Sequence, residues 1–432
     1  MRESSGSGGC WWLRPLIRDR RGVTAVTFAM VATVVLGIAG LATEVGGWYA
    51  GRQRGQNAAD AAAEAGAIAL ALGGGNAGAI AGAQNVAAQN GFTSNVTVNN
   101  PPASGPNIGN AGAVEVILVQ KEALLLAGLF LTSNPVMTTR AVAAVQSGGQ
   151  ACAVALAGGS GLSMGGHSTT TASNCSLASN ASGGNAIVIS GSATVSAYTL
   201  SSVGGCSGCS GSNVSLTRPA SAYQLPASNP FAAADNVTLP SSPTYIPAGS
   251  LPQPYTSGNP VEYNGNFSLQ SQQTLTLVPG TYFFNGSISL EGGSTLQCPT
   301  CTGTGSAGVT IVMTDSASTL SIDGNATVTL TAPATNSYAT GFNGLLFYQK
   351  NGGTPGGVSI DGGASSTLTG GLYFPTETVS FDGNESINPS ACTEIVAETL
   401  TIAGNAATTL NSSGCSQSGT ATAQMQVVRL LE

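Results

Sequence analysis

The uncharged run from Gly22 to Thr43, VTAVTFAMVATVVLGIAGLAT preceded by Gly22, constrains this chain more than any other feature. As a helix it rises about 33 Å, enough to cross the hydrocarbon core of a bilayer once. Arg2, Arg14, Arg18, Arg20 and Arg21 precede it, whereas Glu44 follows at once, then Arg52 and Arg54 with Asp60 and Glu64 close behind. The basic excess lies before the run. A cytoplasmic basic segment (1–21), a single transmembrane helix (22–43) and an exported remainder are therefore expected. Trp48 and Tyr49 stand where interfacial aromatic residues belong. The alternative is a cleaved secretory signal, whose apolar region is usually only about 7–15 residues long and ends at a small-x-small site. This run is longer, and GLATEVGG offers a poor site. Cys10 lies before the run, which argues against a lipoprotein.

Length leaves room for more than one domain beyond the anchor. Only 7% of the 432 residues are charged and 60 are glycine, yet 42% are hydrophobic, which excludes a charged disordered chain. Low charge with abundant Gly, Ser, Thr and Asn suits a repetitive β-structure with many tight turns. A formal net charge of −7 argues against a nucleic-acid partner. Of nine cysteines, Cys10 would be cytoplasmic and the other eight exported, and an even number fits disulfides in an oxidising compartment. Cys152 and Cys175 share a 23-residue spacing with Cys392 and Cys415, while Cys206 with Cys209 and Cys298 with Cys301 form CxxC pairs. Pairing within these four couples is expected, although eight cysteines allow 105 connectivities. A four-cysteine zinc site from the two CxxC motifs is the alternative. Their separation is far outside zinc-ribbon spacing, and exported thiols tend to oxidise.

The Ala-rich, proline-free segment after the run predicts a helix that continues to Gly73–Gly75, with a second helix over 77–92. Together they make a helical stalk over 44–92. Short strand-like runs follow at NVTVNN, Ala113–Gln120 and Met137–Gln146. Between the last two, EALLLAGLFL reads as a short helix packed on the strands. These elements predict a small α+β unit over 93–147.

From Cys152 onward a short motif recurs as LSMGGHS, IVISGSA, ISLEGGS, LSIDGNA, VSIDGGA, VSFDGNE and LTIAGNA. Its glycines are Gly166, Gly191, Gly292, Gly324, Gly362, Gly383 and Gly404, and the last two intervals are both 21 residues. Repeats that pair a short alternating strand with a Gly turn signal a solenoid, because one unit cannot bury its own apolar face. A parallel β-helix over 148–432 is expected, with a β-sandwich as the less favoured alternative. A Pro/Ser-rich excursion at about 214–263 interrupts it, either as a loop or as a link between two halves.

The segment from Asp19 to Ala71 closely resembles the N-terminus of TadG-like proteins of the Tad (tight adherence, Flp) pilus-assembly systems. The resemblance rests on Arg21–Gly22, the apolar run, Glu44, Trp48, Tyr49 and the motif Gln56–Asn57–Ala58–Ala59–Asp60–Ala61–Ala62. TTRAVAAV (Thr138–Val145) looks like the close of the family's N-terminal unit, and FNGLLFYQ, LTGGLYFPT and CTEIVAETLTIAGNA look like the β-helical region of related proteins. The resemblance implies a single-pass protein of the bacterial inner membrane with most of its chain periplasmic or envelope-exposed, whose partners are other Tad machinery proteins. Related pseudopilins carry Glu five residues after the cleaved glycine. Here that position is Thr27, which suggests a helix that anchors and does not polymerise.

No catalytic, cofactor-binding or metal-ligating set is expected. His167 is the one histidine and falls at a repeat turn. Asp323, Asp361 and Asp382 recur before glycine, where Asp-Gly is a turn dipeptide. Stacked, they would form a carboxylate ladder that could bind calcium, but the calcium-binding β-roll nonapeptide is absent. The expected role is a non-enzymatic structural component of a pilus apparatus, with Glu44, Trp48, Gln56 and Asp60 as the residues that dock partners. The alternatives are a tethered adhesin that binds a glycan or surface through the solenoid, and a carbohydrate-active β-helix enzyme.

Overall fold

The computed structural model describes residues 20–432 apart from 158–159, 257–260, 353–355, 362–364, 385 and 388–389. The expected basic segment, Cys10 included, lies almost wholly outside the described residues, as does Gly362 of the repeat series. The chain forms two compact units, Met1–Ala144 with Val428–Glu432, and Val145–Val427. The solenoid was expected to run to residue 432. Instead the last five residues rejoin the first unit, where Leu431 N–H donates to Val142 O and Val142 N–H to Glu432 O.

In the first unit, helix α1 spans Arg20–Ala71 without a break. It is the one helix among the described residues long and apolar enough to cross a membrane, and that part of it is apolar all round, with Phe28, Met30, Leu36 and Ile38 exposed. The hydroxyl of Thr27 donates to Thr24 O within the same helix. After a turn through Gly73 and Gly75, both at positive φ, α2 runs Gly75–Gln89. The helices approach closely at small residues: a methyl on Gly66 would lie 3.0 Å from Ala79 O and 3.2 Å from Ala83 Cβ, and one on Gly82 would lie 3.2 Å from Ala69 Cβ. Strands β1 (Val96–Asn99), β2 (Ala113–Lys121) and β3 (Val136–Ala155) pair antiparallel in chain order. A methyl on Gly66 would come within 2.8 Å of Val114 Cγ1 on β2, so this helix face lies directly on the sheet. The 44–92 stalk is therefore packed into the α+β unit. EALLLAGLFL differs from expectation: only Ala127–Leu129 is helical, as a single 3-10 turn, and Leu125, Leu129 and Phe130 are exposed.

The second unit is a parallel β-solenoid. The recurring motif forms one column of short strands whose alternate residues stack as two apolar ladders. One is Phe267, Ile288, Leu320, Val358, Val379, Leu400, Leu162, Ile187, and the other is Leu269, Leu290, Ile322, Ile360, Phe381, Ile402, Met164, Ile189. Ser268, Ser289, Ser321, Ser359, Ser380, Thr401 and Ser163 alternate between them and point outward. The order of these ladders is not the order of the chain. Coils at 151–172, 176–197 and 200–216 stack in one direction. The chain then travels to the far end, and coils beginning at Val261, Gly280, Val309, Leu345, Gly370 and Thr393 stack back toward the start. The last coil meets the first through Ile395 with Ala153, Leu400 with Leu162 and Thr408 with Thr170. There is one stack, with a seam inside it.

The Pro/Ser-rich excursion is the link that makes this order possible. Val214–Leu216 still belongs to the third coil and Val261–Asn264 to the next, so the excursion is slightly shorter than expected. It crosses the outside of the stack as a strap. Ala227 exchanges hydrogen bonds with Asn180, Asn229 donates to the Tyr373 hydroxyl, and Tyr255 N–H donates to Thr281 O. Asp235 accepts the Tyr373 hydroxyl at 2.7 Å. Beneath the strap the outer column Phe283, Val312, Tyr348, Tyr373, Val396, Val154 and Ala178 is aromatic and aliphatic where the motif column carries Ser and Thr, and Ala227, Phe231 and Ala234 bury it. Burial, then the Asp235 charge, pushes the Tyr348 hydroxyl up to about 12.

Turn glycines stack across the seam. Gly383, Gly404, Gly166 and Gly191 all have positive φ, and a methyl on Gly404 would meet Gly383 N at 2.6 Å while one on Gly166 would meet Gly404 O at 2.7 Å. Gly404→Ala is expected to lower the unfolding free energy of the solenoid by about 2 kcal/mol, measured by urea unfolding followed by circular dichroism. An unchanged midpoint would contradict the close stacking.

Candidate functional site

The site begins where α1 leaves its apolar run. Glu44, Trp48, Gly51, Gly55 and Ala58 follow at three- and four-residue spacing and so share a helix face. Glu44 is largely buried, and its two carboxylate oxygens accept the backbone N–H groups of Leu125 at 2.7 Å and Ala127 at 2.8 Å. It thereby caps the 3-10 turn of the loop between β2 and β3. Trp48 donates its indole N–H to Ala123 O at 3.3 Å. Gly51 and Gly55 leave room for Glu122 and Thr139, since a methyl on Gly55 would lie 3.2 Å from Thr139 Cγ2. Gln56 donates to Arg140 O at 2.9 Å and to Asp60 Oδ1 at 2.7 Å. Of the four residues singled out for docking, Glu44 and Trp48 thus hold the loop after β2, Gln56 reaches β3, and Asp60 bonds Gln56 within the helix.

Arg140, which the sequence reading passed over, is the hub of this attachment. Its Nε lies 2.7 Å from Glu115 Oε1, its guanidinium pairs with Glu432, and it donates to Ser104 O at 2.7 Å. Glu115 is fully buried and also accepts from Asn99, from Ala103 N–H and from Ser104. Burial works to raise its carboxyl, but these hydrogen bonds together outweigh burial and hold it down at about 2. The signal was present as opposite charges in two strands that pair, Glu115 within the apolar part of β2 and Arg140 as the one charge of β3.

Residues 22–85 match the family model described as putative Flp pilus-assembly TadE/G-like. This is a TadE/G-like segment. It covers the apolar half of α1, the attachment face with Glu44, Trp48, Gln56 and Asp60, and most of α2. Comparison with curated proteins and with solved structures gives no match.

The solenoid places the remaining candidates apart from this TadE/G-like segment in the sequence. Disulfides join Cys152 to Cys175, Cys206 to Cys209, Cys298 to Cys301 and Cys392 to Cys415. The first ties two neighbouring coils, and the last lies beside the strand that forms the seam. Asp361 and Asp382 are register partners, and each repeat aspartate bonds locally: Ser321 donates to Asp323, Ser359 to Asp361, and Gly383 N–H to Asp382. His167 is exposed at its turn. Three buried acids of the solenoid were missed, Glu262, Glu377 and Glu394. Glu377 accepts from Gln349 and from Gly357 N–H, and Glu394 accepts from Ala423 N–H. Burial raises both carboxyls above the usual range.

Two outcomes follow for the attachment. Glu115 is depressed in the folded unit, so its stabilisation is complete above about pH 4.5 and is lost as pH falls toward 2, an effect of order 3 kcal/mol. Glu115→Gln should destabilise the unit by about 3 kcal/mol at neutral pH and flatten this acid dependence, read from Trp48 fluorescence with Trp11 and Trp12 replaced by Phe. Glu44→Ala should speed hydrogen exchange at Leu125 and Ala127 at least tenfold, because each N–H loses its buried acceptor. Unchanged protection would contradict the cap.

Proposed function

We propose that this protein is a membrane-anchored structural component of a Tad/Flp pilus-assembly apparatus. Helix α1 crosses the inner membrane once with its basic end in the cytoplasm, and the β-solenoid is exported. The TadE/G-like match at 22–85 carries the reading, since it falls on the apolar helix and its attachment face together. The basic flank supports the orientation, and four disulfides suit an oxidising compartment. Thr27 in place of an acidic residue supports an anchor over a polymerising subunit. Glu44, Trp48, Gln56 and Asp60 shape the surface that other machinery proteins contact, and the role is non-enzymatic.

A second reading, a tethered adhesin, draws on the outward ladder of Ser and Thr hydroxyls along the stack, a surface suited to a glycan. Deletion of the gene followed by electron microscopy separates the two. Loss of pili, restored by the full chain, is the expected result. Normal pili in the deletion strain would overturn the apparatus role, and glycan binding by the protein from that strain's complement would favour the adhesin.

A further inference from the structure

We propose that the loop 124–131 is a second membrane contact: Leu125, Leu129 and Phe130 enter the edge of the same bilayer that α1 crosses. This rests on the reading that α1 spans a membrane. From Ala123 to Thr139 the sequence contains no charged residue. Leu125, Leu129 and Phe130 are 80%, 78% and 76% exposed, so a cluster of large apolar side chains stands open on a unit whose interior is built mainly from small ones.

The position of the loop says what covers it. Leu126 sits against Gly40 so closely that a methyl on Gly40 would overlap its Cδ1. Gly40 lies inside the apolar run, about 4–5 Å on the membrane side of Thr43 along the axis. A hydrocarbon core of about 30 Å takes up nearly the whole run, so the loop tip lies at or within its boundary. Trp48 holds the loop's entry through Ala123 O, and Glu44 holds its tip through Leu125 and Ala127 N–H. Entry into an apolar medium requires satisfied backbone donors. Leu129 N–H donates to Leu126 O, and Phe130 and Leu131 N–H to Ala127 O, so with the two that Glu44 accepts, five of the loop's backbone donors are satisfied from within the unit. The carboxylate just past the membrane run is thereby solvated by amide dipoles of the loop, whose side chains from Leu124 to Leu131 are all apolar.

Depth-dependent quenching tests this on the full chain. In a Cys10→Ser background the eight other cysteines are paired, so Leu129→Cys, Met30→Cys and Ile108→Cys can each be labelled with an environment-sensitive fluorophore. The proteins are reconstituted into phosphatidylethanolamine–phosphatidylglycerol vesicles with spin-labelled lipids. Quenching at 129 at least threefold stronger than at exposed Ile108, and strongest with the shallow spin label, is expected. Quenching at 30 with none at 129 beyond that at 108 would overturn the loop contact while leaving the span intact. That holds whether the probe at 129 is in water or is covered by protein. No quenching at 30 would overturn the span and the loop contact with it.

Discussion

Strand pairing between Ala153–Ala155 and Ile395–Ala397 closes the last coil of the solenoid onto its first. The rest of the second unit depends on this seam. A coil cannot bury both of its apolar rims alone, and without the pairing Leu162 and Leu400 would each lose one of their two stacking neighbours. The seam also dictates the strap. Coils added after Leu216 must begin at the far end, so the chain has to run the length of the stack, and the outer column it crosses is aromatic and aliphatic where the motif column carries Ser and Thr. The stacking order, the strap and the buried outer column are one solution to one constraint.

The same seam determines where the chain enters the solenoid. The strand that leads in from the first unit becomes part of the first coil, which lies inside the stack with coils on both sides. A single coil separates it from the end coil at 200–216, whereas the other end of the stack lies far from it. At the other end of the account, Glu44 and Arg140 perform for the small unit what the seam performs for the solenoid. Each resolves a polar group that would otherwise be costly to bury, and each does so by joining elements far apart in sequence.

Much of this could be read from the residues alone. The apolar run, the helix turn at Gly73–Gly75, the cysteine couples and the repeating Leu-Ser-Ile-Asp-Gly pattern carry local signals, and the elements form where those signals place them. The stacking order could not be read, because Leu400 is as well suited to stack on Leu162 as on any other motif residue. Identical apolar rungs do not encode their neighbours. The strap was legible as an irregular segment, not as a route. EALLLAGLFL misled for a different reason: apolarity implies burial only when water is the solvent, and the exposure of Leu129 follows from the loop's place beside Gly40. Glu44, Trp48, Gln56 and Asp60 were visible as unusual residues, but that the first three bind β3 and the β2–β3 loop of their own chain has no sequence-local trace.

Disulfide trapping across the seam tests the central claim most directly. Ser163 and Thr401 are register partners on the outward face, and paired strands lie about 4.8 Å apart. Ser163→Cys with Thr401→Cys should form a bond under mild oxidation, found by mass spectrometry of proteolytic fragments, whereas Ser321→Cys with Thr401→Cys should not. Failure of the first pair to bond, or equal bonding of the second, would contradict a single stack in which the last coil meets the first.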